Sequence, residues 1–273
     1  MHRRNFLFGG VPLSFALLAA RPVRSAPLSH EYNLMTAGSG KVATIIDGDT
    51  LTLEDGQVIR LVGIQAPKLP LDRPNFTAWP LADEARQMLS ELTLGNTVTL
   101  SYGGTRIDRH GRALAHLHLP DGRWVQGEML HAGLARVYSF ADNRARVAEM
   151  LLLEREARQA ERGIWQLPYY AVRNAEMGAK DDRLARDIDS FQLVEGRIRK
   201  AARVGKYMYL NFGSDYRTDF TISVAKRYWR KFDATQMTPA KLQGKHVRVR
   251  GWLTKRNGPM IEATHPEQIE LLP

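Results

Sequence analysis

Over residues 40–126 the chain alternates short apolar segments with tight turns. The turns carry Asp-Gly or Gly-Gly pairs, which are typical of connections between short β-strands. Apolar positions at helical spacing predict two helices, over residues 81–92 and 147–162. Short strands with inserted and appended helices indicate a mainly β, α+β fold built on a small barrel. The predicted strands cover residues 42–46, 50–53, 58–62, 98–102 and 113–119.

A second β-rich pattern occupies residues 190–273, with its clearest strands over residues 206–212 and 247–253. Between the two patterns, residues 167–189 contain a Pro-Tyr-Tyr run and a charged stretch, which are typical of a linker. The chain is therefore predicted to hold a first domain over residues 40–166, this linker, and a C-terminal, small barrel-like β domain over residues 190–273.

Strand alternation in the second unit places aromatic and basic side chains on one face. Tyr207 and Tyr209 alternate on the first of its clear strands, and Arg248, Arg250 and Trp252 alternate on the other. Aromatic rings stack on bases and arginines neutralise phosphates, so these five residues are candidates for binding single-stranded nucleic acid. A solvated sheet face is the alternative interpretation of the same pattern.

The N-terminus predicts an export signal. A basic pair, Arg3-Arg4, precedes an apolar stretch over residues 6–20 that glycine and proline interrupt and that is short for a membrane span. The run around Arg3-Arg4 resembles a twin-arginine signal, with cleavage expected after Ser25. The mature protein is then periplasmic or secreted without a stable membrane span; the alternative is a membrane anchor formed by an uncleaved N-terminus.

Composition narrows the class of protein. Hydrophobic residues make up 44% and charged residues 25%, values that exclude a largely disordered chain. The absence of cysteine excludes a disulfide scaffold, a thiolate metal site and a cysteine nucleophile. A formal net charge of +10 favours an anionic partner such as nucleic acid.

Candidate chemistry lies in the first β unit. The segment Asp47-Gly48-Asp49-Thr50 puts two carboxylates and a hydroxyl at a strand end, where they can hold a hard cation. Arg60 and Arg112 follow in later strands, and an arginine fork matches two oxygens of a phosphate. Together such groups can clamp a phosphodiester and stabilise the charge that develops during its hydrolysis.

Residues 40–166 resemble the thermonuclease family, the staphylococcal-nuclease-like proteins. One family signature is Asp-Gly-Asp-Thr followed, after a strand and a spacer, by Arg-Leu-x-Gly-Ile-Asp-x-Pro-Glu. The other is Asp-Lys/Arg-Tyr-Gly-Arg-x-Leu-Ala. In this chain they read Asp47-Gly48-Asp49-Thr50, Arg60-Leu61-Val62-Gly63-Ile64-Gln65-Ala66-Pro67-Lys68 and Asp108-Arg109-His110-Gly111-Arg112-Ala113-Leu114-Ala115.

The resemblance implies a five-stranded oligonucleotide-binding-type barrel and Ca²⁺-dependent cleavage of DNA and RNA. It implies that Asp49 is a metal ligand, and that Arg60 and Arg112 bind the scissile phosphate. Two positions depart from the family pattern. Gln65 stands where a second metal carboxylate is expected, which weakens the site, although the Ala66 carbonyl remains a candidate ligand.

The second departure concerns the attacking water. Lys68 stands where the family has the glutamate that orients or deprotonates it, and an ammonium cannot accept that proton. Lys68 is either a lysine with a lowered pKa or a third phosphate-binding cation, with the base elsewhere. The candidates for that base are Asp47, Asp72, Asp108 and His110.

The leading hypothesis is an exported, metal-dependent nuclease that hydrolyses DNA or RNA with little sequence preference. The alternative is a catalytically impaired protein that binds nucleic acid or another polyanion. Single-stranded nucleic acid is the expected partner, Ca²⁺ or another divalent cation the expected cofactor, and a monomer the expected assembly.

Overall fold

A computed structural model describes residues 34–176 and 183–273. The predicted signal peptide, residues 1–25, and residues 177–182 of the predicted linker lie outside the described residues. The first part of the described chain contains seven strands: β1 (Met35–Asp47), β2 (Thr50–Leu53), β3 (Val58–Leu61), β4 (Ile64–Gln65), β5 (Thr97–Tyr102), β6 (Ala113–His118) and β7 (Arg136–Val137).

Five of these strands close into a barrel in the order β1-β2-β3-β6-β5. All neighbours in the barrel are antiparallel except β3 and β6, which run parallel. Alternate side chains of each strand fill the interior, where Leu51, Ile59, Leu61 and Leu117 are fully buried. The predicted five-stranded barrel within an α+β fold is confirmed.

Three helices pack on this barrel: α1 (Ala82–Thr93), α2 (Val125–His131) and α3 (Val147–Gln159). Helices α1 and α3 match the two helices predicted from apolar spacing. Helix α2 was not predicted, because its seven residues make only about two turns, too few to establish a helical period. It is nevertheless largely buried, with Met129 and Leu130 in the core.

The C-terminal part forms an additional sheet. Its strands are β8 (Arg173–Asn174), β9 (Ser190–Arg197), β10 (Lys200–Val204), β11 (Tyr207–Asn211), β12 (Thr221–Ala225), β13 (His246–Arg256), β14 (Gly258–Glu262) and β15 (Ile269–Leu271). The short helices around it are α4 (Arg183–Arg186), α5 (Trp229–Ala234) and α6 (Pro239–Leu242). The strand order is β10-β11-β12-β14-β13-β9-β8, and β15 pairs with β13. The extra C-terminal β structure is thus an eight-stranded sheet.

This sheet has one apolar face with its own core. Met208, Leu210, Val249 and Leu253 alternate with polar neighbours and are fully buried, as a half-buried strand pattern requires. The opposite face carries Tyr207, Tyr209 and Trp252. Trp252 contacts Tyr138, which follows β7.

The predicted linker contains ordered structure. A 3-10 turn spans Pro168–Tyr170, and β8 joins the C-terminal sheet by parallel pairing with β9. The Tyr170 hydroxyl donates a hydrogen bond to the carbonyl of Pro80, 2.8 Å away, in the loop that precedes α1. The division into domains at residues 166 and 190 stays a prediction. No helix among the described residues is long and apolar enough to cross a membrane.

Candidate functional site

The first functional element is the turn between β1 and β2. Asp47 pairs with Thr50 across the ladder, which leaves Gly48 and Asp49 as a two-residue turn. A Cβ atom added at Gly48 would lie 2.7 Å from the Cβ atoms of both Ala66 and Ala85, so the close packing requires glycine. This packing drives Asp49 inward, and its side chain is fully buried.

Arg60 lies on β3, directly across from Thr50 in the adjacent strand. Its guanidinium donates hydrogen bonds to the carbonyls of Leu61, at 2.5 Å, and Ile64, at 2.7 Å. One of its terminal nitrogens lies 3.3 Å from Asp49 Oδ2. These contacts hold the guanidinium in one orientation, and only 11% of the side chain is exposed.

Lys68 reaches the same carboxylates. Its Nζ lies 2.6 Å and 2.7 Å from the two oxygens of Asp49 and 3.1 Å from Asp47 Oδ2. Asp47, Asp49, Arg60 and Lys68 therefore form one group, the carboxylate centre. Burial alone raises the pKa of the Asp49 carboxyl, but Arg60 and Lys68 outweigh burial and hold that pKa well below its usual range.

Asp47 differs from Asp49 in its electrostatics. Burial and the neighbouring charge of Asp49 raise the pKa of the Asp47 carboxyl despite its contact with Lys68. Asp47 Oδ1 also accepts the backbone N–H of Asp49 at 3.0 Å. Neighbouring cations therefore stabilise the ionised form of Asp49 more strongly than that of Asp47.

The other side-chain oxygen expected to bind metal, that of Gln65, is occupied by a protein group. Gln65 Oε1 accepts two hydrogen bonds from Arg136, at 2.8 Å and 3.0 Å. The backbone N–H of Ala66 donates to Asp49 Oδ2 at 2.8 Å. Arg136 is itself buried, and burial lowers the pKa of its guanidinium to about 10.

These donors do not fit a Ca²⁺ ion. Calcium takes six to eight oxygen ligands, preferably anionic ones. Here the oxygens of Asp49 face an ammonium and a guanidinium, and the oxygen of Gln65 faces a second guanidinium. Within residues 34–176 and 183–273, no cluster of three or more histidine or acidic side chains could hold a metal ion.

The loop between β5 and β6 presents Arg112. Asp108 Oδ1 accepts the backbone N–H groups of His110 and Arg112, and Gly111 takes a positive φ of 78°, which closes the turn. Asp108 Oδ2 accepts from Arg112 Nε at 2.8 Å. About a third of the Arg112 side chain remains exposed.

Arg60 and Arg112 line the same open groove, a cavity of about 680 Å³. Arg60 belongs both to this groove and to the carboxylate centre, so it links the two. The groove is also lined by aliphatic residues and by two aspartates, Asp108 and Asp142. Its arginines and aromatic or imidazole rings are Arg60, Arg109, Arg112, His110, Tyr138, Phe140 and Trp252. Guanidinium groups beside aromatic rings suit a strand with phosphates and bases.

The structure divides the five residues predicted to bind nucleic acid. Trp252 lies in the groove, is 48% exposed, and donates from Nε1 to the Tyr138 hydroxyl at 2.8 Å. Tyr207 and Tyr209 stack on each other on β11, with ring centroids 5.7 Å apart. Arg248 is mostly buried and pairs with Glu195 at 2.5 Å.

Arg250 does not lie on an accessible face. It is 1% exposed and pairs with Glu154 of α3 at 2.8 Å and with Glu270 of β15 at 2.5 Å. Glu154 also accepts from Arg158 at 2.8 Å. We call these four residues the junction cluster. Alternation gave Arg250 the correct side of the sheet, but the barrel covers that side, so Arg250 cannot contact nucleic acid.

Three functional residues were missed from the sequence: Arg136, Tyr138 and Phe140. Arg136 lies on the two-residue strand β7 and the other two follow it, in a segment too short for a periodic pattern to mark them. The Tyr138 ring contacts Phe140 and Phe191 edge to face, each with centroids 4.9 Å apart, which fixes its place beside the groove. An Arg-Val-Tyr-Ser-Phe run between two helices was the available indication.

Comparisons with known proteins agree with the barrel. The family model described as staphylococcal nuclease homologue matches residues 58–167. An uncharacterized endonuclease of Escherichia coli O157:H7 is 36% identical over 129 residues, covering 46% of this chain and 76% of the relative. A micrococcal nuclease of Shigella flexneri is 31% identical over 140 residues, covering 47% and 74%.

A third relative, endonuclease YncB of Bacillus subtilis (strain 168), is 31% identical over 132 residues, covering 46% of this chain and 61% of the relative. The family match ends at residue 167, so the C-terminal sheet lies outside it. The aligned share of the first relative and the matched barrel together place the protein: the chain belongs to the staphylococcal nuclease homologue family.

Proposed function

We propose that the protein is a nuclease that binds a nucleic-acid strand in the groove and hydrolyses its phosphodiester bonds with little sequence preference. The observation that carries the proposal is that Arg60 and Arg112 line one groove together with Tyr138, Phe140 and Trp252. Membership of a family whose relatives carry endonuclease names supports the reaction class. The groove lining supports a strand with accessible bases rather than a closed duplex.

In this mechanism the arginines supply the charge stabilisation. Arg60 is held in place by backbone carbonyls, and Arg112 by Asp108, so both forks are oriented before the phosphate arrives. Preorganised donors of this kind stabilise the extra negative charge of a pentacoordinate phosphoryl group. No step is assigned to a divalent ion, because the donors of the carboxylate centre do not fit one.

His110 is the preferred candidate for activating water. It lines the groove beside Arg112, and a neutral imidazole nitrogen can accept a proton from water. Arg109 Nε donates to His110 Nε2 at 3.1 Å, which orients the ring. The other candidates are less suitable. Asp47 is buried against Lys68, Asp108 is bound to Arg112, and Asp72 is an exposed residue of a loop that does not line the groove.

The sheet can extend the binding surface. The strand registers pair Tyr209 with Ser223, Ser223 with Glu262, and Thr254 with Met260, which places Tyr209 and Trp252 on the same face. Three strand spacings separate their strands, about 14 Å at ~4.8 Å per strand. The Arg256 guanidinium lies 5.1 Å from the centre of the Tyr207 ring. A strand that leaves the groove over Trp252 would therefore meet a second stacking platform.

The test is cleavage of a fluorescent single-stranded DNA by the purified chain, with Ca²⁺, Mg²⁺, Mn²⁺ or EDTA. We expect Arg112→Ala to lower the cleavage rate about 10²-fold, the typical loss of one charge-stabilising donor. Arg123→Ala is the matched control, since Arg123 pairs with Asp121 as Arg112 pairs with Asp108 but is exposed outside the groove. Unchanged cleavage by Arg112→Ala contradicts the proposal.

A second candidate function is nucleic-acid binding without efficient hydrolysis. It is favoured by Lys68, which donates to Asp49 and leaves the centre without a carboxylate free to activate water. Binding that weakens steeply with salt, without cleavage under any condition, would establish this alternative. Absence of both binding and cleavage overturns both candidates.

We also propose export, because residues 1–25 have the pattern of a twin-arginine signal. The expected outcome is a mature N-terminus at Ala26 in a periplasmic or culture fraction, read by N-terminal sequencing. Recovery of the intact N-terminus in the membrane fraction would instead support the uncleaved anchor.

A further inference from the structure

The Lys68 ammonium lies where a cation would sit between two carboxylates. An ammonium has three N–H donors and no acceptor. Its three nearest acceptors are the two oxygens of Asp49 and Oδ2 of Asp47, at 2.6, 2.7 and 3.1 Å. All the hydrogen-bonding capacity of Lys68 is therefore directed at the carboxylates, and none is left for a phosphate or a water nucleophile.

The charges of the carboxylate centre balance without any further ion. Asp47 and Asp49 contribute two negative charges, and Arg60 and Lys68 contribute two positive ones within 3.3 Å of the carboxylate oxygens. A divalent ion added to this group would leave an uncompensated charge of +2 in a mostly buried site, which is strongly unfavourable. A divalent ion can therefore enter only if Lys68 leaves.

Lys68 also competes with a dissolved ion at a higher effective concentration, because the chain tethers its ammonium near the carboxylates. Only 20% of the side chain is exposed, and Asp49 is fully buried. A competing ion must displace a covalently tethered cation from ion pairs that water screens poorly.

We propose that Lys68 is a built-in cation that fills the carboxylate centre in place of a divalent ion, so that nucleic-acid binding and cleavage in the groove proceed without one. Lys68 is then a positioning residue: it fixes Asp49, which in turn lies 3.3 Å from the Arg60 guanidinium. The part of this inference that concerns metal binding does not depend on the proposed function. Only the cleavage measurement rests on the proposed function.

The direct test is calorimetric titration of the chain with Ca²⁺, followed by thermal unfolding with Ca²⁺ and with EDTA. For the parent we expect no heat of binding and the same Tm in both solutions. Lys68→Met frees both carboxylates, and Lys68→Glu adds a third. We expect Lys68→Glu to bind Ca²⁺ with a Kd of roughly 10⁻⁴–10⁻³ M, as weak natural sites do, and to gain Tm with Ca²⁺.

Lys41→Met is the matched control. Lys41 lies on β1 of the same barrel and pairs with Glu54 at the surface, so its replacement removes one positive charge outside the centre. We expect this variant to resemble the parent in the calorimeter. If Lys41→Met and Lys68→Met gain Ca²⁺ binding equally, the gain comes from the lower net charge and not from the position of Lys68, and the proposal is overturned.

The parent protein provides a test that does not depend on variant folding. A hydrogen-bonded ammonium exchanges its protons slowly enough to give a ¹⁵N–¹H signal, and we expect such a signal to persist unchanged at millimolar Ca²⁺. Ca²⁺ binding to the parent that removes this signal overturns the proposal. Cleavage by the parent that EDTA abolishes and Ca²⁺ restores also overturns it, whereas no cleavage at all bears on the proposed function alone.

Discussion

The carboxylate centre and the junction cluster are built from the same chemistry and differ in their surroundings. Each holds two acidic side chains against two basic ones, and each contains a carboxylate, Asp49 or Glu154, that is fully buried. In both cases burial alone raises the carboxyl pKa, and the neighbouring cations outweigh burial and lower it. The composition of the two groups therefore does not distinguish their roles.

Accessibility distinguishes them. Arg60 of the carboxylate centre lines the groove, and Lys68 keeps part of its side chain at the surface. Arg250, on β13, is enclosed by Glu154 of α3 and Glu270 of β15, and only 1% of it is exposed. A buried ion pair that borders an open groove can act on a substrate, whereas one sealed between helix α3 and the C-terminal sheet can only hold the two together. The predictions below test this difference, from the largest expected effect to the smallest.

The largest effect is expected from Glu154→Ala. The substitution leaves the Arg250 guanidinium buried with Glu270 as its main partner, and breaking a buried pair in this way typically costs about 3–5 kcal/mol of folding stability. The measurement is urea unfolding followed by circular dichroism. The same experiment on Glu149→Ala provides the control, because Glu149 lies on the same helix in an exposed pair with Arg146. Equal losses for the two variants would show that the junction cluster is not structural.

The second prediction concerns pH at the junction. His265 is buried there, with Nε2 2.8 Å from Ser139 Oγ, and burial lowers the pKa of its imidazole to about 4. The unfolded chain takes up a proton near pH 6.5 and the folded chain does not, so stability falls as pH decreases from about 6.5 towards 4. At pH 5 this loss is at most about 2 kcal/mol.

We expect His265→Gln to flatten the pH dependence of the unfolding free energy between pH 7 and pH 5. His116, in the barrel, has a pKa lowered to about 3 by burial and contributes a similar slope that the variant retains. The lowered pKa of Asp49 and Glu154 adds a loss of stability that becomes appreciable only below about pH 5, where the unfolded chain takes up protons that the folded carboxylates do not. An unchanged slope in His265→Gln would contradict this assignment.

A smaller effect is expected where the sheet contributes to the groove. Trp252→Ala should weaken binding of a single-stranded oligonucleotide about tenfold, because stacking on one aromatic ring contributes ~1–3 kcal/mol per base. Fluorescence anisotropy measures the change. Tyr216→Ala serves as the control, since Tyr216 is 53% exposed in the loop between β11 and β12, outside the groove lining. If both variants bind the oligonucleotide like the parent, Trp252 does not contact it and the binding surface does not extend onto the sheet.

The smallest effect is expected at the stacked tyrosines. Tyr209→Ala should weaken binding only about fivefold, because its ring already stacks on Tyr207 and its stacking contribution lies at the low end of ~1–3 kcal/mol per base. The loss should appear with oligonucleotides long enough to pass Trp252 and be absent with those that fill only the groove. A loss independent of oligonucleotide length would argue against a continuous path across the sheet.

The sequence was most informative where the pattern is local. The Asp-Gly turns and strand alternation predicted the barrel, and the resemblance of two motifs to the thermonuclease signatures singled out Asp49, Arg60 and Arg112, whose roles stay predictions. The contacts of Lys68 could not be predicted, because its partners lie 19 and 21 residues away in the chain and meet it only in the folded barrel. The same limit applies to Gln65 and Arg136, which are 71 residues apart.

The sheet shows a different limit of sequence pattern. Alternation correctly put Tyr209, Arg250 and Trp252 on one side of their strands, since a period of two fixes the side. It could not say which part of that side the barrel would cover. Burial of Arg250 follows from Glu154, which is 96 residues earlier in a helix whose exposed and buried faces both carry charge.

The pairing of Glu154 with Arg250 has a consequence for how the chain is made. The barrel strands and α3 have all left the ribosome long before residue 250 is added. Until then Glu154 has Arg158 as its ion-pair partner and an unfilled space beside it. The barrel part thus lacks one of its ion-pair partners until the last strands are added. A chain that terminates before residue 250 leaves the Glu154 carboxylate uncovered on the Arg250 side, which distinguishes it from the finished molecule.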